Sequence, residues 1–269
     1  MNRGIIALDL DGTLLAPDHQ TVPKEARRAL RDLADAGWLV VPASGRPLQT
    51  MMHELDQVPA KWAVTSNGAA VWKLGNGGEI VHLQPMASKT VKEVYALLQG
   101  RDCSIELFQR GLFYLEESRV EAFQGSLPDF FSGYLSAYST VVPDLAPYME
   151  RDDTEKLTIA GLSPQAKAEL YVELEKIEGL ALTTSIDDIE ITAAGVTKAS
   201  ALEWLAGHLG LEAGDVIAFG DSDNDKEMLA WAGLSFAMPK ASPAAAEAAD
   251  SHMHPEQHLA GVLTSLVSS

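Results

Sequence analysis

Four short apolar runs limit the fold of this chain most strongly, because each of them ends abruptly in small or polar residues. The runs are Gly4–Leu8, Trp38–Val41, Trp62–Val64 and Val216–Phe219. They show no alternation of polar and apolar residues, which is typical of strands buried on both faces of a parallel sheet. We therefore predict that these runs are neighbouring strands of one parallel sheet.

Patterns of helical period lie between the runs. In the first, Ala26, Ala29, Leu30 and Leu33 recur at intervals of three and four, with Thr21 as a possible cap and Gly37 at the end. The second carries Leu202, Leu205 and Leu209 and ends at Gly210, and the third carries Met228 and Leu229 and ends at Gly233. Alternation of strands and helices predicts an α/β fold: a Rossmann-like parallel-sheet core with helices on both faces. Such sheets bind ligands beyond the carboxyl ends of their strands, where all four polar clusters would then meet.

The middle of the chain has a different pattern. Glycine-rich turns at 75–78 and 110–111 lie between short apolar runs and predict two hairpins. A strand at Lys156–Ala160, a helix from Pro164 with Ser163 as its cap, and a strand at Leu180–Thr184 follow. A length of 269 residues suits two domains. We predict an inserted α+β cap domain at 85–187 and a catalytic core at 1–84 and 188–269, with the core sheet resuming near Ile189.

Charge and cysteine content restrict the partners and the compartment. The net charge of -18 disfavours nucleic acid and anionic membrane surfaces as partners. The single cysteine, Cys103, excludes an intramolecular disulfide, and no apolar run approaches the ~18 residues of a membrane helix. We expect a cytoplasmic protein whose partner is a small molecule, and the oligomeric state stays open.

The strongest chemical signal is the segment Asp9-Leu10-Asp11-Gly12-Thr13 at the end of the first run. Two carboxylates at the end of a buried strand are costly unless a cation or a proton accompanies them. One of them could attack phosphorus to form a covalent intermediate, and the other could exchange a proton with the leaving group and with water. Backbone N–H groups of the turn, including that of Leu10, could hold phosphoryl oxygens. The alternative is an acidic turn without chemistry.

A second acidic segment, Gly220–Asp225, follows the last run. Asp221 and Asp225 could both point toward the first segment, and carboxylate oxygens are the ligands that Mg²⁺ prefers. A calcium loop is the alternative, but the glutamate of an EF-hand is missing. Lys198 begins a predicted helix, where the helix dipole disfavours a cation, so we expect an anion beside it. Ser44 and Gly45 could hold phosphoryl oxygens, although an ordinary turn explains them equally well.

In this order, the four motifs resemble the haloacid dehalogenase (HAD) superfamily of phosphotransferases, and most closely its Cof-type branch with a class IIB cap. The resemblance implies a nucleophile, Asp9, and a general acid/base, Asp11, with Lys198 stabilising the nucleophile and the phosphate. It also implies Mg²⁺ bound by Asp9, the backbone carbonyl of Asp11, and Asp221. The residues implied to bind substrate are Leu10, Ser44, Gly45, Lys198 and Asn224, with Arg46 and Asp225 supporting them.

The resemblance therefore implies a magnesium-dependent phosphatase that hydrolyses a small phosphate monoester through an aspartyl-phosphate. Two alternatives remain: a phosphomutase or phosphotransferase with the same intermediate, and a metabolite-binding protein without catalysis. A dinucleotide-binding enzyme is disfavoured because no Gly-x-Gly-x-x-Gly turn follows the first strand. The histidine-rich stretch 252–258 departs from the usual pattern of the branch, and we expect a solvated loop there and not a zinc site.

Overall fold

The structure of the protein is a computed structural model that describes residues 2–75, 77–126, 138–184, 188–254 and 256–267. Its strands are β1 (Gly4–Leu8), β2 (Trp38–Pro42), β3 (Trp62–Thr65), β4 (Ala70–Lys73), β5 (Glu79–Leu83), β6 (Ser104–Gln109), β7 (Leu112–Glu116), β8 (Thr140–Val142), β9 (Thr154–Ala160), β10 (Leu180–Thr184), β11 (Asp188–Ala193), β12 (Val216–Gly220), β13 (Leu234–Ala237) and β14 (Ser251–His252).

Helices separate many of these strands. They are α1 (Lys24–Asp35), α2 (Met52–Leu55), α3 (Ser88–Leu97), α4 (Val120–Ser126), α5 (Ala146–Met149), α6 (Pro164–Leu174), α7 (Lys198–Leu209), α8 (Lys226–Trp231), α9 (Pro243–Ala248) and α10 (Leu259–Val267). In the described part of the chain, no helix combines the length and the hydropathy that a membrane crossing needs.

The chain forms two compact units. The first comprises Met1–Arg46, Met51–His82 and Thr197–Ser269, and the second comprises Pro47–Thr50 and Leu83–Val196. The sequence predicts 85–187 for the inserted domain, whereas the second unit begins two residues earlier, ends nine residues later and includes 47–50. Residues 47–50 belong to it because the backbone N–H of Gln49 donates to Gly111 and its side chain accepts from Phe113.

A five-stranded parallel sheet forms the centre of the first unit, in the order β14-β13-β12-β1-β2. Every residue of β1 and β12 is buried, as their unbroken apolar sequences predict. The helices α7, α8 and α9 pack on one face, while α1 contacts β2 and α10. The predicted parallel-sheet α/β core is confirmed.

Two details of the predicted core are wrong. The run at Trp62 forms β3, which pairs with β4 in a separate sheet and is joined to the central sheet by a parallel bridge between Ala43 and Val64. Thr21 does not cap α1, because the helix begins after Pro23 and the Thr21 hydroxyl donates to Asp18 instead.

The second unit has a six-stranded sheet in the order β10-β11-β9-β6-β7-β8, antiparallel except between β7 and β8. The predicted hairpin at Arg110-Gly111 and the Ser163 cap of α6 are confirmed. The prediction that the core sheet resumes near Ile189 is wrong, because β11 pairs with β9 and β10. Its isoleucines, Ile189 and Ile191, belong to the apolar core beneath this sheet, so the strand is anchored there.

The opposite face of this sheet carries polar residues in register, with Glu106 and Glu190 both opposite Thr158. Burial raises the pKa of the Glu106 carboxyl to about 8, although Lys156 opposes the shift. The folded protein therefore holds this proton more tightly than the unfolded chain, in which a glutamate titrates near pH ~4.3.

We expect the free energy of unfolding to fall as the pH rises from about 4.5 to about 8. The reason is that Glu106 loses its proton at a lower pH in the unfolded chain than in the folded protein. Glu106→Gln should flatten that fall, as measured by urea unfolding across this range. Glu178→Gln, at an exposed position of the same unit, is the matched control. An unchanged pH profile in the Glu106 variant would contradict the assignment.

Candidate active site

Asp9 follows β1 directly, and its backbone N–H donates to the carbonyl of Phe219 on β12 at 3.0 Å. The chain then makes a wide turn in which Leu14 and Leu15 donate to the carbonyls five residues before them. Gly12 has a φ of +80° in this turn, and a Cβ atom there would lie 2.3 Å from Asp221 Oδ2. Glycine therefore lets the acidic ends of β1 and β12 approach each other closely.

Lys198 is the first residue of α7 and is fully buried. Its Nζ donates to Asp9 Oδ1 at 2.6 Å and to Asp225 Oδ1 at 2.7 Å. Burial by itself would lower the pKa of Lys198, but the carboxylates of Asp225 and Asp9 outweigh burial and raise it. The anion expected beside this helix start is therefore a pair of carboxylates.

The start of α7 is held in place by its neighbours. The Thr197 hydroxyl caps the helix by accepting the N–H of Ser200 at 3.0 Å. Gly68 packs against this cap with a φ of +105°, and a Cβ atom at Gly68 would lie 2.0 Å from the carbonyl oxygen of Thr197. The loop after β3 thus fixes where Lys198 enters the site.

Asp225 is fully buried, and each of its carboxylate oxygens accepts from the protein. Oδ1 accepts from Lys198, and Oδ2 accepts from the backbone N–H groups of Asp221 and Ser222 at 2.9 and 3.0 Å. These contacts hold the turn after β12 and aim Lys198 at Asp9. The geometry suits a supporting role for Asp225.

Asp221 accepts from the Thr13 hydroxyl at 3.0 Å and from the Ser222 hydroxyl at 3.1 Å. Burial, followed by the charge of Asp225, raises its pKa. Burial likewise raises the pKa of Asp9 well above the ordinary value, against the attraction of Lys198. Both carboxyl groups are thus in surroundings that oppose an uncompensated negative charge.

The carboxylates of Asp9, Asp221 and Asp225 each place one oxygen within 4.8 Å of the others. Carboxylates at ~4 Å repel by roughly 4 kcal/mol at an effective dielectric of 20, and one lysine offsets only part of that repulsion. A set of hard oxygen donors with surplus negative charge fits Mg²⁺. Among the described residues, no other group of three or more histidine, cysteine or acidic side chains lies close enough together to hold a metal.

Asp11 lies in different surroundings from Asp9. Arg46 donates to both of its oxygens, from Nε to Oδ2 at 2.8 Å and from Nη2 to Oδ1 at 2.5 Å, and His19 Nδ1 lies 2.7 Å from Oδ1. Burial would raise the pKa of Asp11, but the contacts with His19 and Arg46 outweigh it and lower the pKa. Arg46 also contacts the buried carboxylate of Glu54 at 3.4 Å.

Sequence reasoning assigned Arg46 to the support of the site but missed His19 and Glu54. His19 lies in the loop before α1 and Glu54 lies in α2, and each reaches the site only through the folding of distant segments. Neither has a neighbouring motif in the sequence that would have marked it.

The expected phosphate ligands lie at the ends of their strands. Ser44 is buried, and its hydroxyl oxygen accepts from the backbone N–H of Arg46 at 3.2 Å. Gly45 follows it at the same edge of the sheet. Asn224 Nδ2 donates to Asn67 Oδ1 at 3.0 Å, while Asn224 Oδ1 is buried without a hydrogen-bond partner.

Asn67 was missed from the sequence. It and Ser66 have φ values of +59° and +53°, a left-handed conformation that side chains other than glycine adopt at a cost and that often marks functional loops. The only available signal was the polar cluster Thr65-Ser66-Asn67-Gly68 at the end of an apolar run.

Known proteins are similar to this chain in sequence and in fold. A family model for haloacid dehalogenase-like hydrolases matches residues 6–266. The HMP-PP phosphatase of Klebsiella pneumoniae (strain 342) is 28% identical over 243 residues, which cover 89% of this chain and 85% of that protein. The HMP-PP phosphatase of Serratia proteamaculans (strain 568) is 28% identical over 249 residues, with the same coverage.

Solved structures with similar folds cover nearly the whole chain. A haloacid dehalogenase-like hydrolase from B. subtilis superposes with a TM-score of 0.82 at 24% identity, covering 98% of this chain and 99% of that one. The HAD subclass IIB sugar phosphatase BT4131 superposes with a TM-score of 0.77 at 18% identity, covering 98% of both chains.

We expect Lys198→Met to lower the free energy of unfolding by about 3–5 kcal/mol at pH 7, because Asp9 and Asp225 would stay buried without their cation. Since its partners raise the pKa of Lys198, the stabilisation is complete at neutral pH and is lost only as the pH rises beyond the ordinary lysine range. The measurement is urea unfolding. The double variant Lys198→Met/Asp225→Asn should lose less stability than the single one, and an equal or larger loss would contradict this account of the Lys198 contacts.

Proposed function

This chain belongs to the haloacid dehalogenase-like hydrolase family and is a phosphatase of that family. We propose that it uses Mg²⁺ to hydrolyse a small phosphate monoester through an aspartyl-phosphate on Asp9. The observation that carries this proposal is the buried contact of Lys198 with Asp9, beside Asp221. A carboxylate that is held by a cation and placed at the end of a buried strand is suited to nucleophilic attack.

In the proposed reaction, Asp9 attacks phosphorus while Lys198 keeps it ionised and neutralises charge on the phosphoryl group. Mg²⁺ would be held by Asp9, the Asp11 backbone carbonyl and Asp221, and would supply further positive charge there. The Leu10 N–H group binds phosphoryl oxygens.

Three residues outside the segment that follows β1 complete the proposed phosphate site. Since the Ser44 oxygen accepts from Arg46, its hydroxyl hydrogen can be directed to a phosphoryl oxygen, and the backbone N–H of Gly45 can donate beside it. Asn224 retains a second amide hydrogen beyond the one given to Asn67.

Asp11 is proposed to protonate the leaving oxygen and then to activate water against the aspartyl-phosphate. Its contacts with Arg46 and His19 favour the charged form, which suits the second step. An approaching phosphate dianion would raise the pKa of Asp11, because like charges disfavour ionisation, and would prepare it for the first step.

We propose a small phosphorylated metabolite as the substrate, in keeping with relatives named HMP-PP phosphatase and sugar phosphatase. Residues 85–187 are proposed as a cap domain that selects it. With a net charge of -18, the protein is not expected to bind nucleic acid or anionic membrane surfaces, and we propose that it acts in the cytoplasm.

Asp9→Asn should lower phosphate release from 4-nitrophenyl phosphate by more than about 10³-fold, because it removes the nucleophile. Acid-quenched wild type incubated with ³²P-labelled substrate should carry label that the variant lacks. Equal, slow release by both proteins would contradict the proposal and favour a binding protein. Transfer of the phosphoryl group to a sugar hydroxyl, instead of release as phosphate, would show a phosphomutase.

Mg²⁺ should raise the melting temperature of the wild type, because it relieves the repulsion among the three carboxylates. Asp221→Asn should remove most of this increase and should lower activity at a fixed Mg²⁺ concentration. Asp223→Asn, which removes an exposed carboxylate from the same turn and lies outside the cluster, is the matched control. Equal magnesium responses in the two variants would contradict the assignment of the site.

A further inference from the structure

The loop between the first acidic segment and α1 is closed by its own hydrogen bonds. The backbone N–H of Ala16 donates to Thr21 at 2.8 Å, and that of His19 donates to Ala16 at 2.9 Å. The Asp18 carboxylate accepts from the backbone N–H groups of Gln20 and Thr21 at 3.0 and 2.8 Å, and from the Thr21 hydroxyl at 2.6 Å. These contacts give residues 16–21 a defined shape although they form no helix or strand.

A side chain from a distant part of the sequence fixes this loop. Gln57, which follows α2, accepts the N–H of Val22 at 3.0 Å and donates to the carbonyl of Gln20 at 2.7 Å. Gln57 therefore ties the part of the loop that follows His19 to the core of the first unit.

His19 lies at that tip with a φ of +56°. A left-handed residue with a Cβ atom costs roughly 1–2 kcal/mol, although histidine is among the residues enriched there. In this conformation the ring contacts the candidate acid/base, and the carbonyl contacts Arg46. The ring Nδ1 lies 2.7 Å from Asp11 Oδ1, and the His19 carbonyl accepts from Arg46 Nη2 at 3.1 Å.

Asp11, Arg46 and His19 each contact the other two. Arg46 donates to both oxygens of Asp11 and to the backbone of His19, and the ring of His19 returns to Asp11. The ionised carboxylate can only accept hydrogen bonds, so His19 Nδ1 is the donor. This holds for the protonated ring and for the neutral tautomer with its hydrogen on Nδ1. Asp11 is thus fixed from two directions, by a planar fork and by a ring on a rigid loop.

We propose that His19 is a positioning residue for Asp11: together with Arg46 it sets the orientation of the carboxylate that exchanges a proton with the leaving group. The inference rests on the function proposed above, in which Asp11 is the acid/base. A carboxylate that keeps only the Arg46 contacts would still be charged and bound, but it could turn about its side-chain torsions. The loss would therefore appear in proton transfer and not in substrate binding.

The test uses a series of phosphates that differ in leaving-group basicity: 4-nitrophenyl, phenyl and 4-methoxyphenyl phosphate. Nitrophenolate leaves without a proton, whereas more basic phenolates need the acid. For His19→Leu we expect kcat/KM to fall on the order of tenfold more with 4-methoxyphenyl than with 4-nitrophenyl phosphate, with KM little changed. The slope of log kcat/KM against leaving-group pKa should become steeper in the same direction as in Asp11→Asn.

Two further variants separate the ring contact from the shape of the loop. His19→Asn tolerates the left-handed backbone and places an amide N–H close to the position of Nδ1, so it should restore the wild-type slope. His19→Gly accepts the same backbone without strain but has no donor, so it should behave like His19→Leu.

The outcomes distinguish this inference from the proposed function. If Asp11→Asn steepens the slope and His19→Leu does not, the positioning role is wrong and the acid/base role stands. Equal losses with all three substrates in His19→Leu, or wild-type behaviour of His19→Gly, would also overturn it, because both would show that only the shape of the loop matters. If Asp11→Asn leaves the slope unchanged, the acid/base role proposed for Asp11 fails first, and the positioning inference fails with it.

Discussion

The contact of Lys198 with Asp9 and Asp225 is the interaction on which the rest of the site depends. Three carboxylates lie close together at the ends of two buried strands, and burial makes each negative charge more costly. A single fully buried ammonium group lies between two of them and makes the arrangement possible. Its two contacts join the turn after β1 to the turn after β12.

Much of the local backbone conformation serves to position the Lys198 ammonium group. The cap at Thr197 fixes the first turn of α7, and Gly68 allows the loop after β3 to pack directly against it. On the other side, Gly12 leaves room for the Asp221 carboxylate. Side chains at these glycines would clash with groups that the site requires, so the constraint comes from close approach as well as from the left-handed backbone.

The sequence was sufficient for the parts of the site that follow directly from strand ends. Unbroken apolar runs identified β1, β2 and β12, and parallel pairing then placed Asp9, Ser44 and Asp221 at one edge of the sheet. Lys198 was found from an electrostatic inconsistency, a cation at the positive end of a helix. In each case, a local pattern and one general rule of sheet or helix geometry were enough.

What the sequence did not reveal depends on contacts between distant segments. The Ile-x-Ile pattern of β11 suits either sheet, and only its pairing with β9 and β10 assigns it to the second unit. His19 reaches Asp11 because Asp18 closes a short loop and Gln57, 35 residues after Val22, holds it. No periodicity or motif encodes such an arrangement, since each contact is formed by an ordinary polar residue.

The two aspartates of the first motif show why these distant contacts matter for chemistry. Only one residue separates Asp9 from Asp11 in the chain, yet burial raises the pKa of the first, while His19 and Arg46 hold that of the second below its ordinary value. Environments that separate the pKa values of neighbouring carboxyl groups are how one site assigns different roles to the same residue type. For Asp9 the effect of burial on the pKa exceeds the attraction of Lys198, whereas for Asp11 the contacts with His19 and Arg46 exceed the effect of burial. The Asp-x-Asp spacing places the two groups in one site, and we propose that the residues that differ between their surroundings decide which one acts as the nucleophile and which one exchanges protons.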